Sequence, residues 1–145
     1  MNEPFAGVAR AYLDANVFIY FVEGLEEFQS RAAAALEAMD RQKTRAITSE
    51  LAVAECLYGS GRQGKHGLEL KYRSIFQETG LVDVMPVTVA VFERAARLGG
   101  STGLKLLDCI HFAAAELAGC EAFVTNDTRF RSKRSLKVVH LSSTF

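Results

Sequence analysis

Short apolar runs alternate with amphipathic segments along the whole chain, and this alternation limits the possible folds more than any other feature of the sequence. A short, continuous apolar run is typical of a strand buried on both faces, whereas apolar residues at helical spacing predict a helix. Strands that alternate with helices form a parallel sheet that is covered by helices on both sides. The predicted strands cover residues 11–13, 46–47, 81–85, 122–124 and 136–141.

Helices are predicted over residues 28–42, 50–58, 67–78, 89–98 and 106–118. Ser49 and Thr88 precede two of these segments and are predicted N-caps, because their hydroxyl groups can accept hydrogen bonds from the first turn. Glycine disfavours the helix interior and is predicted to end two helices and form turns. These glycines are Gly59 and Gly61 after the second helix, and Gly99, Gly100 and Gly103 after the fourth.

Length and composition are those of one globular domain. The chain has 145 residues, of which 49% are hydrophobic, which predicts a single domain over 1–145 and excludes a disordered chain. Lys and Arg total 17, as do Asp and Glu, so a general electrostatic attraction to nucleic acid or to an anionic membrane is excluded. Such a partner would need a local basic patch or a metal ion.

The sequence shows no signal peptide and no apolar run of membrane-spanning length, so we expect a soluble, cytoplasmic protein. Cys56, Cys109 and Cys120 form no C-x-x-C pair, which favours a reducing compartment. Each is expected to be a small buried hydrophobic residue.

Two acidic residues follow predicted strands. Asp14 comes directly after the first strand, and Asp127 comes shortly after the fourth. Ligands of parallel sheets bind at the carboxyl ends of the strands, so both residues lie where a functional site is expected. Each also has a purely structural interpretation, as a helix N-cap for Asp14 and as a turn or cap residue for Asp127.

Two further acids lie in apolar helices. Glu55 is the one charged residue in the segment 51–58, and its own helix offers no partner of opposite charge. An unpaired buried carboxylate is costly, so Glu55 either needs a cation or lies at an exposed edge of the helix. Asp108 lies near a helix start, where the helix dipole favours an acid, and Lys105 could pair with it.

Together these four acids indicate a metal site. Four carboxylates in one cleft would repel each other unless a divalent cation neutralised them, and ligation by oxygen alone favours Mg²⁺ or Mn²⁺. Such ions suit the hydrolysis of phosphodiester bonds. His66, His111 and His140 are too scattered for a metal site and are expected at the surface or in the core.

Four segments carry a resemblance to the PIN-domain family, and in particular to its VapC-like ribonuclease toxins. They are LDANVFIY at 13–20, ITSELAVAECLYG at 47–59, LDCIHFAAA at 107–115 and VTNDTRF at 124–130. The segments come in the family's order and cover most of the chain. Each is weak alone, but together they are fairly specific.

The resemblance implies a three-layer α/β/α sandwich with a central parallel sheet and a Mg²⁺- or Mn²⁺-dependent endoribonuclease. It also implies a homodimer that is neutralised by a small cognate antitoxin. The implied metal-binding and catalytic set is Asp14, Glu55, Asp108 and Asp127, with Asn16 and Thr125 in supporting positions. Glu50 lies on a different face of its helix from Glu55 and is interpreted as complementing the helix dipole.

Basic residues follow the last acid and are candidates for contact with RNA phosphates. Arg129, Arg131 and Lys133 are the proposed substrate-binding residues, and Arg134 and Lys137 belong to the same group. A second basic group comprises Arg62, Lys65, Lys71 and Arg73, in a region that carries no motif. Both groups are equally compatible with ordinary solvated loops. Phe130 could stack on a base, but a core position is favoured.

Two other functions are also compatible with the sequence. The first is a catalytically silent RNA-binding or regulatory module on the same fold. The second is a phosphoryl-transfer fold, which also places an Asp after its first strand. The second is disfavoured, because the segment 14–16 reads Asp-Ala-Asn and lacks a second Asp.

Overall fold

The structure is a computed structural model that describes residues 3–133 and 135–145. Within these residues, five strands form one parallel sheet. The strands are β1 (Arg10–Leu13), β2 (Arg45–Ser49), β3 (Asp83–Met85), β4 (Ala122–Thr125) and β5 (Lys137–His140). Their spatial order is β3-β2-β1-β4-β5, so β1 lies at the centre between β2 and β4. All five predicted strands are therefore present.

Helices connect the strands. They are α1 (Ala15–Glu23), α2 (Glu26–Arg41), α3 (Glu50–Arg62), α4 (His66–Gln77), α5 (Val89–Thr102), α6 (Leu106–Leu117) and α7 (Leu141–Thr144). The predicted segments correspond to α2 to α6, whereas α1 and α7 were not predicted. None of the described helices is long and apolar enough to cross a bilayer.

The sheet is covered on both faces, and alternate side chains of each strand supply the two halves of the core. On β1, Ala11 and Leu13 pack against one cluster, which also takes residues from α1, α2, α3 and α4. Tyr12 faces the opposite side, where it packs with Phe123 of β4 and with α5 and α6. The expected three-layer α/β/α sandwich is thus confirmed.

The predicted glycine stop of α3 is wrong, and that of α5 is correct only for Gly103. α3 continues through Gly59 and Gly61 to Arg62, and α5 continues through Gly99 and Gly100 to Thr102. Of the predicted turn glycines in this region, Gly103 ends α5, with φ of 70°. Glycine costs about 1 kcal/mol in a helix interior, and burial of an apolar helix face outweighs that amount.

The two predicted N-caps behave differently. Thr88 accepts a hydrogen bond from the Val91 backbone nitrogen at 3.4 Å, as expected for a cap. Ser49 occupies the N-cap position of α3, but its side chain makes no capping hydrogen bond. Its hydroxyl group is instead directed to Tyr12.

The three cysteines are buried and form no disulfide. Burial raises the pKa of the Cys56 thiol and raises that of Cys120 to about 12. These thiols are therefore protonated at neutral pH, in agreement with the predicted packing role.

Candidate active site

Asp14 lies at the carboxyl end of the central strand β1 and is 7% exposed. Its carboxylate accepts hydrogen bonds from the Ala15 backbone nitrogen and from the Thr125 hydroxyl group, both at 2.8 Å. The first of these bonds caps α1, so the structural interpretation of Asp14 is confirmed. The second joins the ends of β1 and β4, which places Asp14 in the site expected at this edge of the sheet.

Asn16 and Thr125 hold this arrangement together. The Asn16 side-chain nitrogen donates to the Thr125 hydroxyl oxygen at 3.1 Å and to Asp14 Oδ2 at 3.3 Å. Its side-chain oxygen accepts from the Asn126 backbone nitrogen at 3.2 Å. The two residues therefore orient Asp14 by direct contact.

Glu55 has a partner that the sequence did not reveal. His111 of α6 is 2% exposed, and its Nε2 forms a hydrogen bond with Glu55 Oε1 of α3. The same nitrogen lies 3.6 Å from Asp14 Oδ1. Of the two positions expected for His111, surface or core, the structure shows the core, and this buried ring also links two of the four acids. Its position three residues after Asp108, on the same helix face, was the available signal.

Behind His111, two hydroxyl groups extend the polar contacts into the core. The Tyr12 hydroxyl lies 2.7 Å from His111 Nδ1 and 2.7 Å from the Ser49 hydroxyl oxygen. Both residues are fully buried. The contact with Tyr12 explains why Ser49 does not cap α3.

Asp108 and Asp127 form a second pair, which is bridged by Arg129. The guanidinium group lies 3.1 Å from Asp108 Oδ2 and 2.5 Å from Asp127 Oδ2. The partner of Asp108 is thus Arg129, from a distant loop, and not the nearby Lys105. Asp127 Oδ1 also accepts from the Arg129 backbone nitrogen at 2.9 Å, which confirms the turn interpretation of this residue.

The surroundings of these groups raise the pKa values of Asp14, Asp108 and His111 and lower that of Asp127. Burial raises the pKa of Asp14 and of Asp108, and the carboxylates of Asp127 and Glu55 raise the Asp108 pKa further. Hydrogen bonds from Arg129 lower the pKa of Asp127. Burial lowers the pKa of His111, but the Glu55 hydrogen bond and the Asp14 charge outweigh burial, so the net shift is upward.

A basic cleft adjoins the acids. Its volume is about 160 Å³, and Arg129 belongs both to its lining and to the acidic pairs. The other lining residues are Ser101, Thr102, Leu104, Phe112, Arg131 and Lys133. The three basic residues proposed to bind substrate therefore share one cleft. Arg134 lies outside the described residues.

Two other predictions concern the surroundings of the site. Phe130 is buried and packs on Phe112 and Phe123, so the core position is confirmed and stacking on a base is excluded in this structure. Glu50 accepts a hydrogen bond from the Val87 backbone nitrogen and is separate from the acidic pairs.

The acids fit a divalent cation by donor type, although they are not arranged as a finished site. In the described part of the chain, no three His, Cys, Asp or Glu side chains are grouped so that they could hold a metal ion. Asp108 Oδ2, however, is buried without a hydrogen bond of good geometry to any described residue. This atom forms an ion pair with Arg129 but accepts no regular hydrogen bond, and the four carboxylates as donors match the oxygen ligation of Mg²⁺ and Mn²⁺.

Residues 11–136 match the PIN domain family, a region that contains all four acids. The chain belongs to the PIN domain family. Proteins with PIN domains are generally nucleases that use divalent metals. No curated protein matches the chain significantly in sequence.

Several solved PIN-domain toxins have the same fold. A toxin–antitoxin complex from Klebsiella pneumoniae aligns with a TM-score of 0.70 and 23% identity, over 90% of this chain and 97% of that one. VapBC2 from Rickettsia felis, bound to a promoter DNA fragment, aligns with a TM-score of 0.71 and 17% identity over 90% and 98%. Mycobacterium tuberculosis VapC20, a toxin that cleaves the sarcin–ricin loop, aligns with a TM-score of 0.63 and 17% identity, over 78% of this chain and 86% of that one. At these identities the similarity establishes the fold.

Proposed function

We propose that the protein is a Mg²⁺- or Mn²⁺-dependent endoribonuclease and the toxin of a toxin–antitoxin pair. One observation carries this proposal: four carboxylates from two strand ends and two helices lie at the carboxyl edge of the sheet, beside a cleft lined by Arg129, Arg131 and Lys133. Membership of a family of nucleases supports the same conclusion.

Asp14, Glu55, Asp108 and Asp127 are the residues that would hold the ion. When bound, a divalent cation would supply positive charge that favours deprotonation of water and stabilises the leaving oxygen. Asn16 and Thr125 would keep Asp14 fixed, because both already hydrogen-bond to its carboxylate.

The basic cleft would bind the substrate backbone. Arg131 and Lys133 are exposed at its rim, and they would contact phosphates next to the reacting one. Local contacts of this kind need no net positive charge on the whole protein, in agreement with its formal charge of zero.

A cognate antitoxin and a second copy of the chain are the proposed protein partners. The similar Klebsiella and Rickettsia structures are toxin–antitoxin complexes, which supports an antitoxin here. Val89, Phe92, Leu106 and Leu107 on α5 and α6 leave large apolar side chains exposed, and such side chains favour association with protein. The proposed site of action is the cytoplasm.

The nuclease proposal is tested by RNA cleavage with Mg²⁺ or Mn²⁺ in the parent protein, Asp14→Asn and Asp108→Asn. We expect each variant to lose at least about 100-fold in rate, because each loses a charged ligand. Glu50→Gln is the matched control, since this acid lies on α3 but outside the acidic pairs. Cleavage by both Asn variants at the parent rate would refute the proposal.

A catalytically silent RNA-binding module is the second candidate, and one observation favours it. His111 and Arg129 already contact all four acids, so the fold offsets part of their charge without a metal. This candidate predicts RNA binding without cleavage and no thermal shift on addition of Mn²⁺. Expression of the protein alone, with and without a candidate antitoxin, separately tests the toxin role through growth arrest and its rescue.

A further inference from the structure

His111 links the acidic site to a buried polar chain that the proposed reaction does not itself require. The chain runs from the Ser49 hydroxyl to the Tyr12 hydroxyl, to the His111 ring and on to Glu55. Its members come from β2, β1, α6 and α3 in that order. Four elements therefore meet in one continuous set of hydrogen bonds.

The directions of these hydrogen bonds follow from the chemistry of the groups. An ionised carboxylate only accepts, so His111 Nε2 must carry the hydrogen that Glu55 receives. In the neutral ring, Nδ1 then accepts from the Tyr12 hydroxyl, which in turn accepts from Ser49. In the charged ring the last two bonds reverse, but Nε2 still donates to Glu55. The Glu55 contact is thus the same in both states.

Two local observations indicate that the buried polar chain has a purpose beyond packing. Ser49 leaves the helix N-cap bond unmade, although its position and residue type suit a cap, and its hydroxyl is directed to Tyr12 instead. Tyr12 stacks on Phe123 with ring centroids 5.3 Å apart, a contact that phenylalanine would make equally well. The hydroxyl groups of both residues are therefore explained by the polar chain and not by packing.

We propose that His111 is a positioning residue that holds the Glu55 carboxylate toward Asp14, and that Tyr12 and Ser49 fix its ring for this purpose. The inference rests on the proposed function, since Glu55 is one of the proposed ligands. Partners that hydrogen-bond to metal ligands orient them, and loss of such a partner weakens metal affinity by about 10- to 100-fold.

The two side chains that donate to the acids, His111 and Arg129, differ in their freedom to move. Arg129 has a side chain that is 51% exposed and can leave its carboxylates for solvent. His111 is enclosed by the core and anchored through Nδ1, so it cannot withdraw from Glu55 without disrupting the chain behind it. His111 is therefore suited to holding the Glu55 carboxylate in place, whereas Arg129 can release Asp108 and Asp127 to another cation.

The test compares Mn²⁺ affinity, measured by calorimetry or electron paramagnetic resonance, in four variants of the full chain. His111→Leu removes the donor, and Tyr12→Phe removes the hydroxyl that fixes the ring. We expect Mn²⁺ affinity to fall about 10- to 100-fold in the first and by about 10-fold in the second. His111→Gln keeps an Nε2 donor and should remain within about threefold of the parent. Leu98→Ala, in the same apolar cluster but without a polar side chain, is the control for simple destabilisation.

A spectroscopic measurement accompanies the affinities. Long-range ¹⁵N–¹H NMR of the three histidines reports whether each ring nitrogen carries a hydrogen, and the His111 signals are those lost in His111→Gln. We expect a protonated Nε2 in the parent and altered Nδ1 and Nε2 shifts in Tyr12→Phe.

The outcomes separate this inference from the proposed function. A parent protein that binds no Mn²⁺ and cleaves no RNA would refute the function, and the positioning role with it. If the parent binds Mn²⁺ no more tightly than His111→Leu does, the positioning role alone is overturned. An unprotonated Nε2 would also overturn it.

Discussion

Arg129 sets the charge balance of the site at the scale of single residues. Its guanidinium group contacts Asp108 and Asp127, and the same side chain lines the basic cleft. A divalent cation that binds these carboxylates must compete with this internal cation. Metal binding and release of Arg129 toward the cleft are therefore expected to be linked.

We expect Arg129→Ala to bind Mn²⁺ more tightly than the parent protein, by about three- to tenfold. The size of the effect is limited because the side chain is half exposed and its ion pairs are screened by solvent. Titration calorimetry at fixed ionic strength gives the affinity directly.

Arg131→Ala is the control for Arg129→Ala, because Arg131 lines the same cleft and removes the same charge. Its Mn²⁺ affinity should equal that of the parent. An unchanged or weaker affinity in Arg129→Ala would show that the guanidinium group does not compete with the metal.

Single-sequence reasoning found the acids but not their partners. Asp14 and Asp127 could be placed because strand ends of a parallel sheet meet at one edge, a rule that needs no side-chain detail. The contacts of Glu55 with His111 and of Asp108 with Arg129 join residues far apart in the chain, so they depend on how helices pack. Helical spacing reports neighbours on one helix and carries no such information.

At the scale of elements, two glycines near the end of α5 have different roles, since Gly100 lies inside the helix and Gly103 ends it. Gly100 lies inside the helix, and a β-carbon there would meet nothing within 4 Å. Gly103 has φ of 70°, a conformation that disfavours any residue with a β-carbon. The sequence analysis placed both glycines in one turn, because residue type alone does not show which of several neighbouring glycines is the C-cap.

We expect Gly100→Ala to raise the free energy of unfolding by about 0.5–1 kcal/mol, since alanine restricts the unfolded chain and favours helix. Gly103→Ala should lower it by about 1 kcal/mol, because the left-handed conformation becomes strained. Urea denaturation of both variants gives these differences. Equal shifts in one direction would contradict the helix end observed at Gly103.

The edge strand β3 is joined to β2 by an ion pair between Asp83 and Arg45. The Arg45 Nε donates to Asp83 Oδ2 at 2.7 Å, and this bond lowers the pKa of Asp83. Both side chains are more than two-fifths exposed, so the pair contributes no more than about 1 kcal/mol.

Because the Asp83 pKa is lower in the folded protein, this contribution is complete above the unfolded value of about 4 and is lost as the pH falls through the folded value. Asp83→Asn should therefore be less stable than the parent at pH 7 by up to about 1 kcal/mol, and this difference should shrink as the pH is lowered from 7 toward 2. Urea midpoints across this range provide the measurement. A difference that stays constant down to pH 2 would point to a packing effect instead.

At the scale of the whole molecule, both ends of the described chain pack on the same core. Phe5 and Leu141 are buried in the cluster on one face of the sheet, and the ring of Phe145 lies 6.3 Å from that of Phe5. Ser142 also donates a backbone hydrogen bond to Asn126, next to the acidic site. The short helix α7, which the sequence did not reveal, thus supports the loop after β4.

We expect Leu141→Ala to lower the free energy of unfolding by about 2–5 kcal/mol, as is usual when a buried leucine is truncated. Thermal or urea unfolding measures the loss. Leu117→Ala, at an exposed leucine of α6, should change stability by less than about 0.5 kcal/mol and serves as the control. Similar losses in the two variants would contradict the burial of Leu141.

The sheet order also has a consequence for the timing of synthesis. The central strand β1 is made early, but one of its two neighbours, β4, lies more than a hundred residues later, and Asp14 is completed by a hydrogen bond from Thr125. A ribosome-bound chain that ends before β4 therefore holds Asp14 without its partner and lacks Asp127 altogether. The four acids therefore come together only after nearly all of the described chain has been synthesised.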